Sequence, residues 1–295
     1  MQQNRFLRKG CPQVFDLLVY QDLRFGLRLN LQSELRNTLQ IQNRADTVTQ
    51  NNQRESALEI IRENIARSGH HIYVASGDGQ TPRFAYTIGA TESIGFELIL
   101  AGAIFYMKDD VVTIISEILA QMKAEPVCNV YDVNRQGSFT LRDAHNSWAR
   151  ELLLGAFDYY KKREIRVRQI VPDVAHSTID VPDMSAPWSA EKEPVWQWLR
   201  EPWEYPVPEN STATTNLSAL RGSRTTEAAR WEEGYWEIFA GAGPDVPKDE
   251  IRVVSIGTLL ATDESLVRVL NLKIGTGVWR DAASDWHSWQ KRKNL

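Results

Sequence analysis

The chain has 295 residues, 24% of them charged and 42% hydrophobic, with a formal net charge of −4. That length exceeds the usual single domain and predicts one large domain with a smaller companion, and no apolar run approaches the roughly 18 residues that a membrane span needs. The basic residues do not gather into one run with interleaved aromatics, which argues against nucleic-acid binding, and so small an acidic excess does little to single out a basic partner.

Residues 1–54 are rich in Gln, Asn and Arg and keep no single hydrophobic period. They read as an arm, disordered or loosely docked, with a short helix allowed over 32–42, where Leu35 and Leu39 share a face. Asp16 interrupts the apolar stretch near the start and no small-residue cleavage pattern follows, which argues against a secretory leader. Cys11 and Cys128 lack CxxC spacing, so neither a disulfide framework nor a zinc knuckle is expected and a reducing cytoplasm is the simplest setting.

Ser56 and Glu59 have the spacing of a capping box and predict a helix start, with Leu58, Ile61 and Ile65 on one face and Gly69 as the stop. Strands follow at 70–75 and 83–88, joined by a turn at Gly77, Asp78 and Gly79, with a third strand at 96–100. Asp109 or Asp110 caps the next helix, in which Val112, Ile115, Ile118, Leu119 and Met122 recur at helical spacing until Pro126. A strand pair is expected around 134–137, then a helix over 147–162, then a strand at 165–171.

Between 172 and 225 lie seven of the 12 prolines, together with Trp188, Trp196, Trp198 and Trp203. Proline blocks regular structure, so this reads as an extended connector. Its tryptophans should lie against the first domain, and 211–223 should be its mobile part. Beyond it, strands are expected at 235–240 and 252–256, a helix capped by Asp263, and a closing strand or turn at 275–280. The expected organisation is thus an arm (1–54), an α+β domain (55–175) whose mixed or antiparallel sheet carries helices on one face, a Pro/Trp-rich connector (176–225) and a small C-terminal α/β unit (226–295).

Several residues invite a chemical reading. His70 and His71 are adjacent on a strand and face opposite ways, which suits a shared metal poorly. Asp143 with His145, and Asp173 with His176, are carboxylate–imidazole pairs at element ends, but no serine or cysteine stands in a nucleophile-elbow context. An enzymatic or small-ligand site would lie between sheet and connector and use Tyr86, His145 and Asp173. A flavin is conceivable there, yet no motif demands one, and neither cofactor nor metal is expected. Glu97 interrupts an apolar run, and if it faces the core it needs a partner, for which Arg83 is the candidate. Near the C-terminus, Asp281, Asp285, Trp286 and Trp289 form a polar and aromatic cluster suited to a protein interface. The plainer alternative is a helix packing its tryptophans onto the tail.

Residues 60–102, IIRENIARSGHHIYVASGDGQTPRFAYTIGATESIGFELILAG, resemble the bacterial domain-of-unknown-function family 4262: a helix, a Gly-His strand, the FAYTIG run and a strand ending in Gly. The likeness continues through 141–145, 159–160 and 169–173 to the Pro187-Trp188 pair, covering about 60–199. Where the family usually has His-Pro before Glu-Leu, this chain has Gly95 and Phe96, so any chemistry that the histidine performs in relatives is missing here. The tail, with GYWEIFAG at 234–241 and GVWR at 277–280, resembles small domains of predicted immunity proteins in bacterial toxin systems. That resemblance implies a cytoplasmic protein whose partner is a toxin, neutralised by direct binding. Such a role needs no catalytic residues and leaves the oligomeric state open.

Overall fold

The computed structural model describes residues 39–77, 81–125, 128–281 and 285–289. Cys11, Asp78, Gly79, Pro126 and most of the expected arm fall outside them. The chain divides into two units, Met1–Glu55 and Ser56–Leu295, and the second holds both β-sheets.

Helix α1 spans Leu39–Ser68. Ser56 therefore stands inside a helix and not at its cap. The preceding residues contain no Gly or Pro to interrupt the backbone ladder, so the capping-box spacing is overridden. The far end is as expected: the Gly69 amide returns to the Ile65 carbonyl at 2.7 Å.

The first sheet contains β1 (His71–Ala75), β2 (Phe84–Ile88), β3 (Glu97–Ala101), β4 (Val130–Val133), β5 (Gly137–Asp143) and β6 (Val167–Pro172), in the order β1-β2-β3-β6-β5-β4. Only β3 and β6 run parallel, so the sheet is mixed. Every residue of β3 is buried, which explains the apolar run Leu98–Ala101 that follows Glu97. Both faces of this sheet are covered, and not the single face expected. Ala85, Leu98, Leu100 and Ile170 pack with Ile114, Ile115 and Ile118 of the helix Lys108–Ala124. Tyr86, Ile88, Ile99 and Val167 face the other way, onto Leu58 and Ile61 of α1 and onto Trp148 and Leu152. Period-two alternation sends consecutive residues to opposite cores.

Two helix starts differ from expectation. Met107 is the cap of Lys108–Ala124, and Asp110 sits at the third helical position, where its Oδ2 accepts the Met107 amide at 2.9 Å. The single helix expected over 147–162 is two, Asn146–Leu152 and Leu154–Tyr160, because Leu153 leaves helical geometry (φ −94°, ψ 39°) to enter the core.

The second sheet contains β7 (Thr212–Asn216), β8 (Glu227–Glu232), β9 (Tyr235–Phe239), β10 (Ile251–Ser255), β11 (Thr276–Trp279) and β12 (His287–Ser288), in the order β10-β7-β9-β8-β11-β12. Strand β7 overturns the expectation that 211–223 is mobile. It pairs on one side with β10 and on the other with β9, and Ser211 and Thr215 are fully buried. This sheet is also mixed, β7 and β9 being parallel. Its inner face, with Ala213, Trp236, Ile238 and Val254, packs on Leu259, Leu266 and Leu270. Asp263 caps the last helical stretch as expected, although Glu264–Asn271 is a 3-10 helix.

The connector's tryptophans are divided between cores. Trp196 is fully buried in the first-sheet side, its Nε1 donating to the Asp180 carbonyl at 2.9 Å, whereas Trp198 packs in the second-sheet core. Arg252 of β10 ties the sheets together, its Nε donating to the carbonyl of Ile104 at 2.9 Å and its guanidinium also reaching Phe105, both just beyond β3. The architecture is α+β. Among the described residues no helix is long and apolar enough to cross a membrane.

Candidate functional site

On the second sheet, alternation sends Val278, Ala228 and Ile238 into the core and leaves the intervening positions on the outer face. Trp279 of β11 and Trp231 of β8 remain on the surface at 45% and 41% exposure, and Trp289, just beyond β12, at 42%. Trp289 lies flat over Gly277, where an added Cβ would come within 2.6 Å of the indole, and its ring is 6.4 Å from that of Trp231. The glycine is what lets the indole approach so closely.

The four residues expected to form a terminal interface do not share one environment. Trp286 is partly buried against the core, with the Arg280 guanidinium 4.1 Å from its ring centre. Arg280 is itself buried, donating to Asp263, to Ser265 Oγ and to the carbonyl and hydroxyl of Thr225. Asp281 and Asp285 are exposed, with Arg268 3.9 Å from Asp285. Trp289 alone of the two tail indoles faces outward. Trp231 and Trp279 complete the aromatic surface. Sequence reasoning missed them because their outward direction follows from strand register, and β8 was not recognised as a strand.

Tyr86, His145 and Asp173 occupy three separate places. Tyr86 is buried, with its hydroxyl accepting the Gly155 amide at 3.1 Å. His145 caps the helix Asn146–Leu152, its Nδ1 accepting from the Ser147 amide at 3.2 Å. Asp173 follows β6, next to Pro172, whereas the residue before His145 bonds Val167 at the opposite end of that strand, about 17 Å away at the usual rise per residue. Asp173 does pair with His176, Nδ1 to Oδ1 at 2.7 Å, and the ring packs edge-on to Phe105. Burial alone would raise the Asp173 carboxyl. The Ser138 amide and the His176 ring and amide outweigh it and hold the group below its ordinary 3.8.

Glu97 is fully buried, and its partner is not Arg83. The antiparallel register sets Arg83 against Gly102, at the other end of β3, where its guanidinium donates to the carbonyls of Ala103 and Tyr106. Glu97 instead accepts from Thr87 Oγ1 at 2.5 Å, from the amide and hydroxyl of Thr91 at 3.0 and 2.7 Å, and from the Tyr160 hydroxyl. Tyr160 also accepts the Gly89 amide at 2.8 Å, and Thr87 accepts the Leu98 amide. Burial, then the Glu97 charge, raise the Tyr160 phenol well above its ordinary value. The FAYTIG run is thus a structural device, with Tyr86, Thr87 and Gly89 each bonded into this region.

His71 accepts from the Asn64 side chain at 3.0 Å, and His70 lies against the Ser68 carbonyl. Among the described residues no group of three His, Cys, Asp or Glu side chains could hold a metal ion.

Comparison with known protein families finds a match over residues 64–177 to a domain of unknown function, DUF4262. This segment is a DUF4262 domain. No curated protein and no solved structure matches the chain. The DUF4262 segment begins inside α1 and ends just after the Asp173–His176 pair, so it holds the whole first sheet and the Glu97 network. The second sheet lies beyond it. Within the DUF4262 segment, Gly95 closes the helix Thr91–Ile94 in the left-handed region (φ 87°), and the Phe96 ring is covered by Arg166 and Arg168. Gly95 and Phe96 are therefore a turn and a packed ring in this chain.

Proposed function

We propose that the chain is a bacterial cytoplasmic protein-binding module, an immunity protein that neutralises a cognate toxin by direct contact. The observation that carries this reading is the outer face of the second sheet, where Trp231, Trp279 and Trp289 are each more than two-fifths exposed. Large indoles held half out of water on a rigid sheet are the residues that anchor protein interfaces. The tail's likeness to immunity-protein domains supplies the biological setting.

The test is isolation of a stoichiometric partner from the native host, followed by expression of that partner alone and together with this chain. Growth arrest by the partner that co-expression relieves supports the reading. A partner that is harmless alone, or whose toxicity the chain leaves unchanged, overturns it.

The Asp173–His176 pair favours a second reading, a small-ligand site or enzyme, since a histidine ring oriented by a carboxylate suits proton transfer. A chromophore or bound small molecule in the absorbance and mass spectra of the purified protein would support it. Clean spectra together with unchanged partner binding in His176→Gln would remove it.

A further inference from the structure

Strand pairing sorts charge on the second sheet as well as hydrophobicity. Across it, Gly277 lies opposite Ala229, Ala229 opposite Glu237, and Glu237 opposite Thr214, so these positions share the outer face with Trp289, which covers Gly277. The next row sets Trp279 opposite Glu227. Glu232 and Glu233 flank the turn after Trp231, and both are exposed.

The arginines of the same strands are directed elsewhere. Arg252 is buried at the junction with the first sheet, and Arg280, just after β11, is buried against Asp263 and Trp286. Arg230 shares a face with Trp236 and lies 4.8 Å over its ring, and its partly exposed guanidinium donates to the carbonyls of Leu270 and Leu272 on one side and of Glu232 and Glu233 on the other. Exposed Arg268 and Lys273 lie in the segment between β10 and β11, and Arg268 has Asp285 at 3.9 Å. Arg252 and Arg280 are thus turned inward, the Glu227 carboxylate accepts the Gly243 amide, and among the described residues this face exposes Glu232, Glu233 and the three indoles.

We propose that this face receives a lysine- and arginine-rich segment of the partner protein. The partner's cations lie over the indoles of Trp231, Trp279 and Trp289 and against Glu232, Glu237 and their neighbours. This rests on the protein-binding reading above and adds the partner's chemistry to it. The exposed Glu232 and Glu233 beside the indoles favour a cationic protein segment over a polyanion.

The experiment uses the full chain and two synthetic probes, an oligoarginine and an oligoglutamate peptide, followed by calorimetry at low and high ionic strength. Oligoarginine should bind, with affinity falling at least about tenfold in Trp279→Ala, in Glu237→Lys and at high salt, while oligoglutamate should not bind. Both positions are surface ones, and far-UV circular dichroism checks that the variants remain folded. Absence of oligoarginine binding, equal binding of both peptides, or indifference to the substitutions overturns the proposal. The host partner separates the two readings. If its affinity falls with Trp279→Ala but ignores Glu237→Lys and salt, the basic-segment proposal fails and protein binding at this face stands. If it ignores all three, the face is not the docking surface.

Discussion

Tyr160 donates its hydroxyl to Glu97, a fully buried carboxylate whose described partners are all neutral donors. A buried carboxyl with no cation among its described partners depends on every one of its hydrogen bonds, because each replaces water that burial removed. Tyr160→Phe leaves both this carboxyl and the Gly89 amide a partner short, and should therefore cost about 1–3 kcal/mol of unfolding free energy, the range for leaving a buried polar group unsatisfied. Thr87→Val should cost a similar amount, since it also strips the acceptor from the Leu98 amide. The double variant, measured by urea denaturation, should lose less than the sum, showing that the two hydroxyls act through one carboxylate. Strict additivity would mean that they do not.

His71 sets an acid-side dependence. Burial, and next to it the charge of His70, push its pKa down from 6.5 to about 4. The unfolded chain takes up this proton first as pH falls, so the stabilisation is complete above about pH 6.5 and drains away towards pH 4. His70 is lowered too and adds in the same direction. Proton NMR should show the His71 ring neutral at pH 5, and His71→Gln should flatten the loss of stability between pH 6.5 and 4.

Arg252 makes a contact that lysine cannot copy. Its fork reaches the carbonyls of Ile104 and Phe105 on one side and those of Asp249 and Ile251 on the other. Arg252→Lys keeps the charge but loses the planar set of donors, and should cost about 2 kcal/mol. A lower denaturant slope in this variant would show that the two sheets have begun to unfold separately.

Trp286 and Trp289, three residues apart, should respond oppositely. Trp286→Ala uncovers the buried Arg280 guanidinium and should lower stability by about 2–3 kcal/mol. Trp289→Ala should change stability by no more than about 1 kcal/mol, since its ring is already 42% exposed. Thermal melts of the two variants, set beside their partner affinities, distinguish packing from docking.

The β2–β3 hairpin and the helix Lys108–Ala124 were legible because their apolar residues repeat at the periods of strand and helix. Strand β7 was not. Its sequence, TATTN, is short and polar and sits among Pro, Asn and Ser, and only pairing on both sides makes it a strand. The partners of Glu97 were hidden for a related reason. Two threonines and a tyrosine carry no charge to advertise the match, and Tyr160 is 63 residues away. The outward tryptophans depend on register, which spacing along one strand does not reveal.

The sharing of the first sheet's second face has a practical corollary. Leu58 and Ile61 precede the DUF4262 segment, and Met184, Val195, Trp196 and Leu199 follow it, yet all of them roof Tyr86, Ile88 and Ile99. Cutting the polypeptide at the edges of the family match would strip that roof and leave a bare greasy plane. Such a fragment would clump when expressed, and only pieces that keep residues from about 56 to 200 could stay dispersed.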